Sequence, residues 1–179
     1  VRGEGNGHAT AKKPSLAVVP RSLIFNWIEE ARRFTPQLRV LNYTGLERQQ
    51  ILEQFATCDL LLTTYGTLRR DVLKFQELEF DYAILDEAQA IKNPAARQTR
   101  AVKALSGRTR IALTGTPVEN RLTDLWSIFD VINPGLLGPH PAFARWTKRL
   151  AAPPQPSFAP LRELVRPYIL RRMKTDPAV

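Results

Sequence analysis

Asp86 and Glu87 stand side by side where the apolar run Phe80-Asp81-Tyr82-Ala83-Ile84-Leu85 stops, and two carboxylates set that way can hydrolyse a phosphate anhydride. One can hold Mg²⁺ through water, because that ion takes oxygen ligands and keeps much of its hydration shell. The other can orient and deprotonate the attacking water once it lies within hydrogen-bond reach. Open parallel sheets collect ligands at the carboxyl ends of their strands, so a buried strand ending in acids delivers both groups to that edge. The same pair can instead be two solvated acids at the start of the following helix, where the helix dipole favours negative charge.

Holding such a pair at a sheet edge takes a regular alternation of strands and helices. Ser15 to Pro20 carries Leu-Ala-Val-Val and ends at proline, which reads as a short buried strand. Residues 22–34 follow as an amphipathic helix, with Leu23, Trp27 and Ala31 at helical spacing and Pro36 beyond them. Further strands are predicted over 39–43, 59–64, 80–85 and 110–113, with helices ending near Phe55 and over 65–73 and 94–105. This rhythm predicts an α/β doubly wound parallel sheet with helices on both faces. After Gly115 the strands stop. Residues 122–131 read as a helix broken by Asn133-Pro134-Gly135, 138–160 is proline-rich with a helix over 143–150, and 161–172 joins apolar positions to a basic cluster.

The 179 residues, 44% hydrophobic and 24% charged, suit one soluble domain with a real core. No apolar stretch approaches the roughly 18 to 20 residues a bilayer span needs, and Val1 to Pro14 lacks the apolar core of a secretory signal. These features predict a cytoplasmic protein without a membrane partner. The one cysteine, Cys58, beside Leu60, Leu61 and Leu62, reads as a small buried side chain. The net charge of +9 is uneven: residues 34–143 balance 12 basic against 12 acidic side chains, whereas 144–179 carries 8 against 2. A basic tail on a neutral core suits contact with DNA or RNA, and equally a solvated helix.

Three further segments flank the carboxylates. Pro20-Arg21-Ser22-Leu23-Ile24-Phe25-Asn26-Trp27 sets a hydroxyl and backbone amides at a helix start, a geometry suited to an anion and also to an ordinary cap. Leu62-Thr63-Thr64-Tyr65-Gly66-Thr67 ends one strand with several hydroxyls, and Leu113-Thr114-Gly115-Thr116-Pro117-Val118-Glu119-Asn120 ends another with a tight glycine turn.

Together with Asp86-Glu87-Ala88-Gln89 and Ala90-Ile91-Lys92-Asn93, these segments resemble, in order and spacing, motifs Ia, Ib, II and III of the first ATPase lobe of the SNF2 family. That family comprises the helicase-like duplex-DNA translocases of superfamily 2. Motif II ends here in Gln where many relatives have His. The resemblance continues through Asp124-Leu125-Trp126-Ser127-Ile128-Phe129, Asn133 to Gly138, and Pro167-Tyr168-Ile169-Leu170-Arg171-Arg172-Met173-Lys174, covering roughly residues 15–176.

The resemblance implies a RecA-like P-loop NTPase-type fold, with 1–14 a polar linker, 15–138 a partial ATPase lobe, and 139–179 a Pro-containing excursion and basic segment leading toward a second lobe. It implies ATP and Mg²⁺ as cofactors of the longer protein, and double-stranded DNA and a protein partner among its ligands. Asp86 would coordinate the metal through water, Glu87 would position the hydrolytic water, and Gln89 would contact phosphate or link motifs. Thr114, Gly115 and Thr116 would couple nucleotide state to the DNA groove, and Ser22, Asn26, Thr63, Thr64, Arg171, Arg172 and Lys174 would meet DNA. Trp27 and Trp126, beside apolar neighbours on helices, read as core rather than as platforms for bases. The short lobe without insertions resembles bacterial members, which implies a cytoplasmic, nucleoid-associated protein.

The family's phosphate-cradling loop, G-x-x-x-x-G-K-[ST], and the strand before it have no match. Gly3, Gly5 and Gly7 cluster, but no Gly-Lys-Ser/Thr follows them. The expectation is therefore a piece of a longer translocase that alone neither hydrolyses ATP appreciably nor binds it tightly. Its missing first strand would expose a sheet edge and favour self-association. Two alternatives compete: an ATP-independent module binding nucleic acid or protein through the basic segment, and a phosphoacceptor-type domain using Asp86, which leaves Thr114 to Asn120 unexplained.

Overall fold

Four consecutive residues, Leu16 to Val19, are completely buried, which puts β1 (Ser15–Val19) inside a sheet covered on both faces. The computed structural model describes residues 13–115, 122–154 and 156–170. Five parallel strands lie in the order β2-β3-β1-β4-β5, with β2 at Val40–Asn42, β3 at Leu60–Thr64, β4 at Glu79–Leu85 and β5 at Ser106–Ala112. Register aligns Ala17 of β1 with Leu62 on one side and Ile84 on the other.

Alternate residues of β1 face opposite layers. Ala17 and Val19, with Leu60 and Leu62, pack under Ile24, Trp27 and Ile28 of α1 (Ile24–Phe34). Leu16 and Val18 turn the other way, into a larger cluster with Leu61, Leu68, Phe75, Val102 and Ile128. Those helical partners lie on α2 (Tyr65–Arg70), α3 (Val72–Gln76), α4 (Arg97–Lys103) and α5 (Leu122–Ile132). A 3-10 turn over Arg21–Leu23 leads into α1, and a 3-10 stretch over Glu47–Thr57 fills the predicted helical segment ending near Phe55.

The helix predicted over 65–73 is two helices, broken at Asp71. There the backbone leaves helical geometry (φ −108°, ψ 22°), and the carboxylate receives Arg48 Nε at 2.5 Å, Arg48 Nη2 at 3.2 Å and Tyr43 Oη at 3.1 Å. The Arg48 hydrogen bonds are the chief reason the Asp71 carboxyl lies below its ordinary value of 3.8. A carboxyl depressed on folding contributes stability that is complete above its unfolded pKa and lost as pH falls through the folded one. Urea midpoints should therefore fall as pH drops below about 3.8, and Asp71→Asn should flatten that part of the profile. An acid limb identical in the two proteins would remove Asp71 from the explanation.

The strand predicted over 110–113 begins earlier, at Ser106, because β5 pairs with β4 along its length from Glu79↔Ser106 to Leu85↔Ala112. Apolar patterning misses this edge strand, whose polar residues have polar partners: Arg108 Nε donates to Asp81 on β4 at 2.7 Å. Arg110 reaches under the helices, donating to the carbonyls of Leu105 (2.7 Å) and Val131 (2.8 Å) beyond α4 and in the last turn of α5. Its burial lowers the guanidinium pKa from the ordinary value. The helix predicted over 94–105 starts only at Arg97. Before it, Asn93 Oδ1 accepts from Ala95 N and the Asn93 carbonyl accepts from Thr99 Oγ1, which holds the segment as a turn.

From Leu137 onward the chain forms a second compact unit, with α6 (His140–Leu150) and α7 (Ala159–Val165). α6 starts ahead of its predicted first residue, Phe143, with Pro139 at the cap and Pro141 in the first turn, where a missing N–H leaves nothing unsatisfied. Phe143 and Trp146 meet edge to face at 6.2 Å. After α7, Pro167 cannot donate to the preceding turn, and a 3-10 turn over Arg166–Tyr168 follows. Among the described residues no helix is long and apolar enough to cross a membrane.

Candidate functional site

β4 ends at Leu85, and Asp86 N still donates to Val18 O of β1 at 2.9 Å, so the first carboxylate sits at the carboxyl edge of the two central strands. Glu87 then turns the chain sharply. Its φ of 48° and ψ of 54° are left-handed, and it is the one non-glycine residue with positive φ among the described residues. A side chain held there costs on the order of 1 kcal/mol or more, and such strain concentrates at functional sites. The turn is fixed from below, since Ala88 N donates to Leu113 O (2.9 Å) and Leu113 N to Leu85 O (2.8 Å).

Three elements converge on Asp86. Its Oδ1 accepts from Glu87 N at 2.9 Å, its Oδ2 accepts from Trp27 Nε1 of α1 at 2.8 Å, and its carbonyl accepts from Tyr65 Oη of α2 at 2.8 Å. Burial first, then the charges of Asp86 and Glu87, push the Tyr65 phenol well above its ordinary pKa. Tyr65 therefore stays protonated and acts as a fixed donor. Trp27 also belongs to the apolar layer under α1, so it is a packing residue whose indole edge reaches the site. Its helical spacing in the sequence points only to the packing. The available signal was that a buried tryptophan N–H needs an acceptor.

Glu87 heads a second chain of contacts. Gln89 Nε2 donates to Glu87 Oε2 at 2.5 Å, and Gln89 Oε1 accepts from Thr114 Oγ1 at 3.0 Å. Gln89 thus links the two loops that follow β4 and β5. Glu87 Oε1 accepts no hydrogen bond among the described residues and keeps its lone pairs for an incoming donor. Gly115 follows Thr114 with open space where a side chain would stand, while Thr116 lies outside the described residues. Below the site, Ser127 Oγ of α5 donates to Ile91 O at 2.6 Å and anchors the 3-10 turn Ala88–Ile91.

The residues expected to meet DNA separate into different environments. Ser22 and Asn26 are exposed at the start of α1. Thr63 is a correction: it is completely buried and its hydroxyl donates to Tyr43 O at 3.0 Å, so it braces β3 and offers nothing to a ligand. Thr64 is half-buried and caps α2, accepting from Thr67 N at 3.2 Å and donating to Thr67 Oγ1 at 3.0 Å. Arg171, Arg172 and Lys174 lie outside the described residues. Trp126 is buried, as expected of a core residue.

A family model described as the SNF2-related domain matches residues 4–178. An uncharacterized ATP-dependent helicase of Mycoplasma pneumoniae is 40% identical over 164 residues, covering 90% of this chain and 16% of its own length. Human TATA-binding protein-associated factor 172 is 36% identical over 180 residues, covering 91% of this chain and 10% of its own. The SWI2/SNF2 ATPase core of Sulfolobus solfataricus, solved in complex with double-stranded DNA, superposes with a TM-score of 0.83 at 40% identity, covering 95% of this chain and 36% of that one. The chain thus spans less than a fifth of the length of these two curated relatives.

Proposed function

This chain belongs to the SNF2 family and has its RecA-like α/β fold, and on that premise we propose that it forms part of the first lobe of an ATP-hydrolysing motor that works on duplex DNA. The observation that carries this reading is the strained turn at Glu87, whose carboxylate is gripped by Gln89 on one oxygen and unengaged on the other. Held in that way, Glu87 Oε1 is the atom that accepts a proton from an attacking water, while Gln89 fixes the direction in which it points. Asp86 is oriented by Trp27 and by Glu87 N, and each of its oxygens retains a lone pair able to accept from a metal-bound water. No cluster of three or more metal-ligating side chains occurs among the described residues. Mg²⁺ suits such a site, because it is commonly held by one or two carboxylates together with water and substrate phosphates. When bound, the ion would neutralise developing phosphate charge beside Asp86.

Thr114, bonded to Gln89, ties the loop after β5 to the water-positioning residue, so a shift of either loop moves the other. Duplex DNA is assigned as partner through the DNA-bound archaeal relative, the exposed Ser22 and Asn26, and the basic C-terminal residues. The test is duplex binding across a salt series. Log affinity should fall linearly with log salt, and replacing Arg171, Arg172 and Lys174 together by alanine should reduce the slope by up to about 2.7, roughly 0.9 per lost phosphate contact. Binding insensitive to salt would reject the phosphate-contact reading.

A further inference from the structure

On the sheet face opposite α1, Arg69 of α2 and Arg97 and Arg100 of α4 border a groove of about 370 Å³. The three arginines are exposed, whereas Val72, Ala101 and Ala104, which also line it, are buried or half-buried. The groove therefore has a cationic rim and an apolar floor.

Among the described residues, the rim arginines have no carboxylate beside them. Arg39, Arg48 and Arg108 each pair with a carboxylate, Asp59, Asp71 and Asp81 respectively. None of the guanidinium groups of Arg69, Arg97 and Arg100 makes an ion pair or hydrogen bond among the described residues. Three uncompensated like charges around one concavity favour an anionic occupant. An occupant that also covers Val72, Ala101 and Ala104 needs apolar surface, which a phosphate backbone does not offer.

We propose that this groove docks an acidic peptide segment of a partner protein, seating one apolar side chain on Val72, Ala101 and Ala104 with carboxylates on Arg69, Arg97 and Arg100. Duplex DNA is the weaker occupant on two grounds. It has nothing to place on the floor, and the exposed DNA-contact candidates Ser22 and Asn26 belong to the element covering the other face of the sheet.

The test is fluorescence anisotropy on the full chain with a labelled Asp/Glu-rich peptide carrying a central leucine. A twin with serine in place of leucine and a short duplex DNA serve as comparison ligands. Saturable binding of the leucine peptide is expected, with clearly weaker binding of the serine twin. Combined Arg69→Ala, Arg97→Ala and Arg100→Ala should weaken the leucine peptide about tenfold, each surface pair contributing a factor of about two. The arginines are exposed and unpartnered, so the variant should melt with the parent protein. The serine twin alters only the ligand and tests the floor independently of that variant. Equal binding of the two peptides, no saturable binding of the leucine peptide, or a triple variant that loses duplex binding while retaining the peptide would each overturn the proposal.

Discussion

Glu87→Gln should lower DNA-stimulated phosphate release by about 10²- to 10⁴-fold in a protein that joins this chain to a phosphate loop and a second lobe. The substitution keeps the size and shape of the side chain, and an amide oxygen can still accept from Gln89. What disappears is the basic oxygen: no amide atom takes a proton from water at neutral pH. Because substrate binding does not use that base, kcat should fall with KM little changed. A loss confined to KM would assign Glu87 to binding. The 179-residue chain purified alone should release phosphate only at background, with or without duplex DNA, because its sequence carries no G-x-x-x-x-G-K-[ST] motif of the kind that cradles a triphosphate. Turnover by that chain, abolished by Glu87→Gln, would mean that the site is sufficient by itself.

Phe75→Ala should destabilise the fold by about 3–5 kcal/mol, the usual cost of removing a buried phenylalanine ring. Phe75 is completely buried on α3, with its ring edge-on to Tyr43 at 5.3 Å and 82° and tilted against Phe80 at 6.4 Å. Tyr43 is fixed at its other end by Asp71 and sits edge-on to Phe55 at 5.3 Å, so the surroundings have little freedom to collapse into the cavity. For a domain of this size the loss corresponds to a drop in Tm of roughly 6–20 °C. Leu73→Ala, on the same helix at a position 73% exposed, is the control and should be nearly neutral. A Phe75 variant melting within a degree or two of the Leu73 variant would show that this ring is not the keystone of its cluster.

Much of the architecture was legible because its causes are local. Leu-Ala-Val-Val before Pro20 is buried on both faces, and a run of that kind reads as a strand in any context that covers it. The strand-helix rhythm predicted a parallel sheet, and β4 does deliver Asp86 and Glu87 to its carboxyl edge. The failures fall where a residue answers to a distant partner. Asp71 sits inside a helical pattern but is drawn out by Arg48 and Tyr43, and β5 is a strand because β4 lies beside it rather than because its own residues alternate. Thr63, one hydroxyl among several in its motif, faces inward because adjacent residues of a strand point to opposite sides.

By itself, the amino-acid sequence determined the order of elements and the adjacent acids at the end of β4, since each depends on residues close together in the chain. Only the tertiary structure decided which groups grip those acids. Trp27 reaches Asp86 across 59 residues, Tyr65 across 21, and Thr114 reaches Gln89 across 25. The reason is geometric: parallel strands bring the ends of separate βα units to one edge, and a hydrogen bond forms there only when packing on both faces has set the strands in register.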